Sequence, residues 1–332
     1  MSLLQNDDFR SFIPMNILNI LAIMVVTVLL CCAVPFAAPA WSQSVQSFSN
    51  LYEPSDVTFL ADGSVIVVED EGDHPLRLFS LTQDKSELTL SPRPLKGEIK
   101  KVHDLEGVST ANNNEIVIIT SHSPSKKGER KKIREQLIKL TIQAEQISDI
   151  QVVDNLLPFM QEKLQKSLKL EKKALEEINI EGLTFDAAKK TLLIGLRSPV
   201  HNDQALILSL LNPYDIFNRN QDPIFDTRII ALDLEGAGIR AITYDKKNSR
   251  YLIAGETIHK KGKLRSRIWA WDGLQKSRPV KVDIPKMKGV KNIEGITIVE
   301  HENSSYLLFV CDNGSKDKNV GGRYGFIDIN KL

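Results

Sequence analysis

The stretch Asn179-Ile180-Glu181-Gly182-Leu183-Thr184-Phe185-Asp186 recurs in altered form along the chain, and each copy opens an apolar segment of strand length. Asp104-Leu105-Glu106-Gly107-Val108-Ser109 precedes it, and Asn292-Ile293-Glu294-Gly295-Ile296-Thr297 follows. Gly238-Ile239-Arg240-Ala241-Ile242-Thr243 is a variant between them, and Pro54-Ser55-Asp56-Val57-Thr58 is a weaker first copy. From Ser55 through Glu106, Glu181 and Arg240 to Glu294 the steps are 51, 75, 59 and 54 residues. A loose period of this length marks a repeat fold, in which each unit buries its apolar face against the next.

Each copy is followed by further short apolar or alternating runs separated by turn residues, such as Ala61-Asp62-Gly63 and Asn112-Asn113-Asn114. The Asp-Gly pair between alternating runs is a hairpin signal. Expected strands cover 56–60, 65–69, 76–81 and 87–90 in the first unit, and 106–110, 116–121, 136–142 and 151–153 in the second. The third has 181–186, 192–197, 205–210 and 228–234, and the fourth 240–244, 251–255, 267–271 and 280–284. The fifth has only 295–299, 306–311 and 325–329.

Four-stranded units at this spacing predict an all-β fold, a β-propeller of five four-stranded blades. The strand missing from the last blade is expected at residues 44–49, so that the ring closes and leaves no long exposed edge. Six blades remain open if the long second step conceals one. That step contains Leu156, Met160, Leu164 and Leu168 at intervals of four among Lys, Glu and Gln, which predicts an amphipathic helical insertion over 155–177. It packs on the rim or serves as a lid. The segment 123–132, rich in Lys, Arg, Ser, Pro and Gly, reads as a solvated loop.

The 332 residues carry 43 Lys+Arg and 42 Asp+Glu, a formal charge of +1. There is no global basic field, and nucleic acid is set aside as a partner. Residues 20–34 are an apolar run containing Cys31 and Cys32, and Ala38-Pro39-Ala40 supplies the small-x-small pattern of signal-peptidase cleavage. Residues 1–40 are therefore expected to be a signal peptide and 41–332 a single exported domain, periplasmic or extracellular, beginning at Trp41. An uncleaved N-terminal membrane anchor is the alternative. Cys311 is the one cysteine after residue 40, so no disulfide forms within that domain.

Four segments, Ile180-Glu181-Gly182-Leu183-Thr184-Phe185-Asp186, Leu193-Ile194-Gly195-Leu196-Arg197-Ser198-Pro199, Gly238-Ile239-Arg240-Ala241-Ile242 and Tyr251-Leu252-Ile253-Ala254-Gly255, resemble a family of bacterial, often exported, propeller-like proteins. That family is catalogued as a domain of unknown function. The Glu-Gly strand starts are more remotely similar to the esterase-like phytase propellers. The resemblance implies the fold and export, and implies no established reaction.

In a propeller the loop entering each first strand and the loop leaving each second strand share one face near the axis. The entering set is Glu106, Glu181, Arg240 and Glu294, with Asp104, Asn179 and Asn292 two residues earlier; the leaving set is Glu69 and Asp70, His122, Arg197, Glu256, and Asp312 with Asn313. Glu106, Glu181, Arg197, Arg240, Glu294 and His122 are the expected ligand-binding residues. Arg197 and Arg240 suit the oxygens of a small anionic or glycan-like ligand. Glu69, Asp70, Glu181, Glu256, Glu294 and Asp312 are expected to hold a hard cation such as Ca²⁺, which takes about 6–8 oxygen ligands.

Three readings stay open on these residues: a binding protein for such a ligand or for an envelope partner, a Ca²⁺-dependent hydrolase of phosphoesters, and a scaffold. In the last, Arg240 bridges Glu181 and Glu294 in an ion-pair ring between blades. No nucleophile elbow, His-Glu-x-x-His or dinucleotide loop is present.

Overall fold

The computed structural model describes residues 45–332 except 71–73, 85–86, 260–262 and 285–289. The signal peptide or anchor expected over residues 1–40 lies outside the described residues. Among those described, no helix is long and apolar enough to cross a membrane.

Five antiparallel four-stranded sheets succeed one another along the chain as the five blades of a propeller. Blade 1 is β2 (Pro54–Phe59), β3 (Ser64–Glu69), β4 (Leu76–Asp84) and β5 (Glu87–Arg93). Blade 2 is β6 (Leu105–Asn112), β7 (Glu115–Thr120), β8 (Leu137–Gln143) and β9 (Gln146–Val153). Blade 3 is β10 (Asn179–Asp186), β11 (Thr191–Ser198), β12 (Gln204–Leu210) and β13 (Ile230–Asp233). Blade 4 is β14 (Ile239–Asp245), β15 (Arg250–His259), β16 (Lys263–Trp271) and β17 (Val280–Val282). Blade 5 is β18 (Ile293–His301), β19 (Ser304–Cys311) and β20 (Arg323–Asp328), completed by β1 (Gln46–Ser47).

The inner strands read as continuous apolar runs because both faces of a blade are covered. All six residues of β3, Ser-Val-Ile-Val-Val-Glu, are buried, whereas the outer strand β9 is largely exposed. Each junction between neighbouring blades has its own core. Ile66 and Val68 meet Val108 and Ile118 between blades 1 and 2. Val117 and Ile119 meet Leu183 and Leu192 between blades 2 and 3. Leu193 and Ile207 meet Ile242 and Trp269 at the next junction, and Leu252 and Ile268 meet Ile296 and Phe309 at the fourth. The fifth joins Val299 and Leu308 to Val57 and Val67. Five such interfaces leave no blade with a bare face.

The expected closing strand forms. Gln46 pairs with Tyr324 and Ser47 with Arg323, and the Phe48 N–H donates to the Gly322 carbonyl at 2.8 Å. The buried Phe48 ring stands 4.6 Å from Tyr324 and 5.3 Å from Phe79, so it binds the seam to blade 1 as well. Burial of such an aromatic is a large part of the seam's stabilisation.

The long step between blades 2 and 3 holds helices rather than a sixth blade. The single helix expected over 155–177 is divided into α1 (Leu156–Leu168) and α2 (Lys172–Glu176). Lys169 takes a left-handed conformation, φ 58°, and its N–H closes on the Gln165 carbonyl, which stops the first helix. Leu156, Leu157, Met160 and Leu164 are buried in the core between blades 2 and 3, so α1 is a rim-packed helix. A further short helix, α3 (Pro213–Arg219), joins β12 to β13 and was not anticipated; Pro213 opens it and Ile216 is its buried contact.

Candidate functional site

The first strand of every blade breaks register at the same place. The ladders skip between Pro54 and Asp56, Leu105 and Gly107, Ile180 and Gly182, Ile239 and Ala241, and Ile293 and Gly295. The residues set out of register are Ser55, Glu106, Glu181, Arg240 and Glu294. A bulge re-aims a side chain and locally ends pairing; on blades 2 to 5 it turns one charged residue per blade toward its counterparts.

The glycine after each Glu has a different task. A Cβ on Gly182 would lie 2.6 Å from the Ile239 side chain of blade 4, and one on Gly295 would lie 2.5 Å from the Asp56 backbone of blade 1. The glycines thus permit close approach of adjacent blades near the axis. Where blade 1 has Asp56 instead, its buried carboxylate accepts the N–H groups of Val57 and of Val108 on blade 2, each at 2.8 Å.

On the side of blades 3 to 5 the axial charges satisfy one another. Arg240 donates to Glu294 and to Glu256, the latter at 2.9 Å, and faces Glu181 at 3.3 Å. Arg197 donates to the other oxygen of Glu181 at 2.6 Å. Burial opposes the charge on Arg240, yet Glu181, Glu294 and Glu256 outweigh it and hold the guanidinium protonated beyond its ordinary range. Burial lifts the Glu181 carboxyl to about 7, against the pull of Arg240 and with a further push from Glu294. Burial likewise raises Glu294, and it lifts Asp312, with Glu294 and Glu53 adding, to about 6. Arg197 is 46 % exposed and turns the rest of its guanidinium outward.

The side of blades 1 and 2 is balanced differently. Burial, and then the charges of Glu181, Asp104, Asp70 and Glu294, hold the Glu106 carboxyl well above the usual range. Among the described residues no ion pair or side-chain hydrogen bond involves Glu106. Beside it, Asp70, His103 and Asp104 present ligand atoms all within 4.8 Å of one another, a candidate metal centre. Asp70 leaves β3, while His103 and Asp104 precede β6, three and two residues before the bulge at Glu106. Arg134 supplies a cation here: it pairs with Asp104, which also accepts from Ser121, and its Nη1 donates to His103 Nδ1 at 3.4 Å. With Nδ1 accepting from Arg134, the neutral ring carries its proton on Nε2, so His103 can ligate a metal only when that contact is given up.

The expected ligand residues Glu181, Arg197, Arg240 and Glu294 are thus one cluster, with Glu106 facing it across the axis. His122 stands apart. Its ring is fully buried, with Nδ1 2.8 Å from the Thr120 carbonyl and Nε2 without a hydrogen-bond partner, and burial lowers it to about 4. Of the expected metal set, Asp70 belongs to the candidate metal centre, and Glu181, Glu256 and Glu294 are drawn to Arg240. Glu69 is turned inward, where it accepts the Tyr52 N–H at 2.8 Å. Cys311 is a buried core residue whose thiol burial pushes up. His103 and Arg134 escaped the sequence reading. His103 has no counterpart in the other blades, and Arg134 arrives from the end of the basic loop; only the adjacency of His103 and Asp104 to Glu106 offered a signal.

A family described as protein of unknown function (DUF3616) matches residues 85–324. No curated protein matches the chain. A glycoside hydrolase family 43 β-1,3-galactosidase solved with galactodeoxynojirimycin superposes with TM-score 0.48 at 12 % identity, over 86 % of this chain and 96 % of that one. The major Malassezia sympodialis allergen Mala s 1 gives 0.48 at 10 % identity, over 86 % and 96 %. A β-propeller domain from Myceliophteria thermophila gives 0.39 at 9 %, over 87 % and 100 %. Likenesses of this size assign no activity to the chain.

Proposed function

The chain belongs to the DUF3616 family of proteins of unknown function, and from that premise we propose that it is a binding protein whose axial mouth takes a divalent cation beside Glu106. The observation that carries this reading is the Glu106 carboxyl, set out of register by its bulge, surrounded by Asp70, Asp104, Glu181 and Glu294, and without a basic partner among the described residues. A half-buried carboxylate crowded by like charges is costly unless it is neutralised. Protonation does this, and so does a hard cation. Asp70, Asp104 and His103 are the groups that would hold the ion with Glu106 beside them, a mixed oxygen and imidazole set suited to Ca²⁺, Mn²⁺ or Zn²⁺ once His103 is released from Arg134.

A bound cation and the outward edge of Arg197 would together receive an oxygen-rich ligand, a glycan hydroxyl pair or an anionic group. Arg240 has no such capacity left, since three carboxylates already engage it. Export is part of the same reading, with Trp41 as the first residue of the processed protein.

Calorimetric and thermal-shift titrations with Ca²⁺, Mn²⁺ and Zn²⁺ separately test the site. A ligand that binds the native state alone stabilises it by about 2.7 kcal/mol at a hundred times its Kd. A saturable rise in the midpoint that Glu106→Gln and Asp70→Asn remove supports the reading; no response to any of the three ions overturns it. Chelator-sensitive turnover of aryl phosphate esters would extend the reading to a hydrolase.

A further inference from the structure

We infer that the hairpin of β15 and β16 docks the protein on an anionic lipid surface, setting an apolar pair into the bilayer interface while basic residues of β16 meet the headgroups. The ladders show how far this hairpin projects. β15 pairs with β14 only as far as Gly255, yet its pairing with β16 continues through Glu256, Thr257, Ile258 and His259. On the outer side, β17 reaches only Ile268 to Ala270 of β16. Glu256–His259 and Lys263–Ser266 are therefore a two-stranded ribbon with no third strand on either edge among the described residues. At about 3.3 Å per residue it extends about 13 Å past its blade. Arg240 holds Glu256 at its base, so the ribbon rises from the face that carries the axial mouth.

The ribbon has two unlike sides, because directly opposed residues share a side and successive residues alternate. Ile258 opposes Leu264, on the side of Glu256 and Ser266. At the base of that side the Ser266 hydroxyl accepts the Ile293 N–H of blade 5 at 3.0 Å. Farther out, Ile258 and Leu264 are 77 % and 47 % exposed, and no other large apolar side chain among the described residues is as exposed as Ile258. Lys263, Arg265 and Arg267 alternate with them on the opposite side, the lysine exposed and the arginines half-buried. Among the described residues none of these three cations is in an ion pair. The sequence from Thr257 to Trp271 contains no Asp or Glu, so their charge is uncompensated along their own hairpin.

One surface answers both features. At the interface of a bilayer with anionic headgroups, affinity is the sum of the apolar area buried and the attraction of nearby Lys and Arg for the lipid charge. A soluble polyanion would engage the cations and leave Ile258 and Leu264 in water. A strand added from another protein would lie along an edge that carries Lys and Arg, the residues by which sheet edges discourage such pairing. A projecting apolar tip also needs no preformed groove in its partner when that partner is the yielding boundary of headgroups and acyl chains. Docked this way, the axial mouth opens toward the lipid headgroups.

Residues 41–332 contain every strand of the closed ring and are a compact unit apart from residues 1–40, so this form is tested free of the apolar run at 20–34. Flotation compares vesicles of phosphatidylcholine alone with vesicles of phosphatidylcholine and phosphatidylglycerol in equal parts. The anionic vesicles should bind about a hundredfold tighter at low salt, at roughly fivefold for each of three cations. Arg265→Gln should weaken that binding about fivefold, and Ile258→Ser combined with Leu264→Ser at least about tenfold. Leu274→Ser should change nothing, since Leu274, 65 % exposed, follows the opposite end of β16. A polarity-sensitive fluorophore on Ile258→Cys should shift to the blue on anionic vesicles, the one other cysteine of this form, Cys311, being buried. Glu106→Gln should alter none of this, which separates the ribbon from the axial site, and thermal midpoints report that each variant is folded. No vesicle binding, equal binding to both vesicles, or binding that the double variant leaves unchanged would overturn the proposal. So would tight binding of soluble polyphosphate without vesicle binding, which would give the cations to a polyanion. Should the double variant fail to fold, the lipid comparison and the labelled Ile258→Cys decide it.

Discussion

Glu106 and Arg240 occupy equivalent bulges on blades 2 and 4, and they stand in opposite states: Arg240 is engaged by three carboxylates, whereas Glu106 is surrounded by four and, among the described residues, engaged by no basic group. On the side of blades 3 to 5, Arg240 and Arg197 offset most of the charge of Glu181, Glu256 and Glu294. The other side is left with an excess of negative charge.

Glu106→Gln should therefore stabilise the cation-free protein at neutral pH while removing its response to divalent ions. A rise in the thermal midpoint of about 3 °C would correspond to roughly 1 kcal/mol in a domain of this size. A fall in the midpoint would show that the carboxylate has a partner the axis conceals.

The cation-free protein should also lose stability as pH rises. Glu106 and Glu181 both have folded-state values above their ordinary carboxylate values, Glu181 at about 7. Between the unfolded and folded values the native state holds more protons than the unfolded chain, so unfolding free energy decreases with pH across that window, from about 4.5 upward through 7. Denaturant midpoints at pH 5, 6, 7 and 8 measure the slope. It should flatten in Glu106→Gln, and at pH 8 added cation should restore what was lost.

Arg240→Met should be among the most damaging single changes on the axis. It leaves Glu181, Glu256 and Glu294 without their shared cation, and removal of one member of a buried ion-pair network costs about 3–5 kcal/mol. The double change Glu181→Gln and Glu294→Gln in that background should recover much of the loss. Urea denaturation of the series checks both statements; a cost under about 1 kcal/mol for Arg240→Met would reduce the cluster to a surface-like ion pair.

Asp56→Ala should cost about 2–4 kcal/mol, because it strips the acceptors from two buried N–H groups on blades 1 and 2. Gly295→Ala should disturb the same spot from the other side, its new methyl meeting the Asp56 backbone. Equilibrium unfolding of both variants tests whether this junction holds the ring.

The recurrence of Glu106-Gly107, Glu181-Gly182 and Glu294-Gly295 makes the blades legible in the chain itself, for two physical reasons that one dipeptide combines. The glycine is required by the approach of the next blade, and the glutamate is the residue its bulge turns to the axis. Repetition exposes whatever every blade must do. What a single blade does alone is invisible to it, so His103, Arg134 and the short helix α3 left no trace in the pattern. The break at Lys169 was equally silent, since lysine carries no sign of the left-handed conformation it adopts there. The placement of Arg240 against Glu181 and Glu294 was readable from charge alone. Its saturation by Glu256 as well, which withdraws it from ligand duty, was visible only in three dimensions.

The pairing of Gln46 with Tyr324 also carries a consequence for how the chain acquires its shape. Loop closure between the ends of so long a segment is paid in entropy before it is repaid in contacts, and contacts of such separation slow folding. A nascent chain halted before β20 is an open arc with a raw edge at blade 5 and Phe48 still seeking its pocket, a species prone to pair with its own kind. The two-residue strand is thus the latch by which a growing polymer becomes a closed ring, and it engages only once β20 has been made.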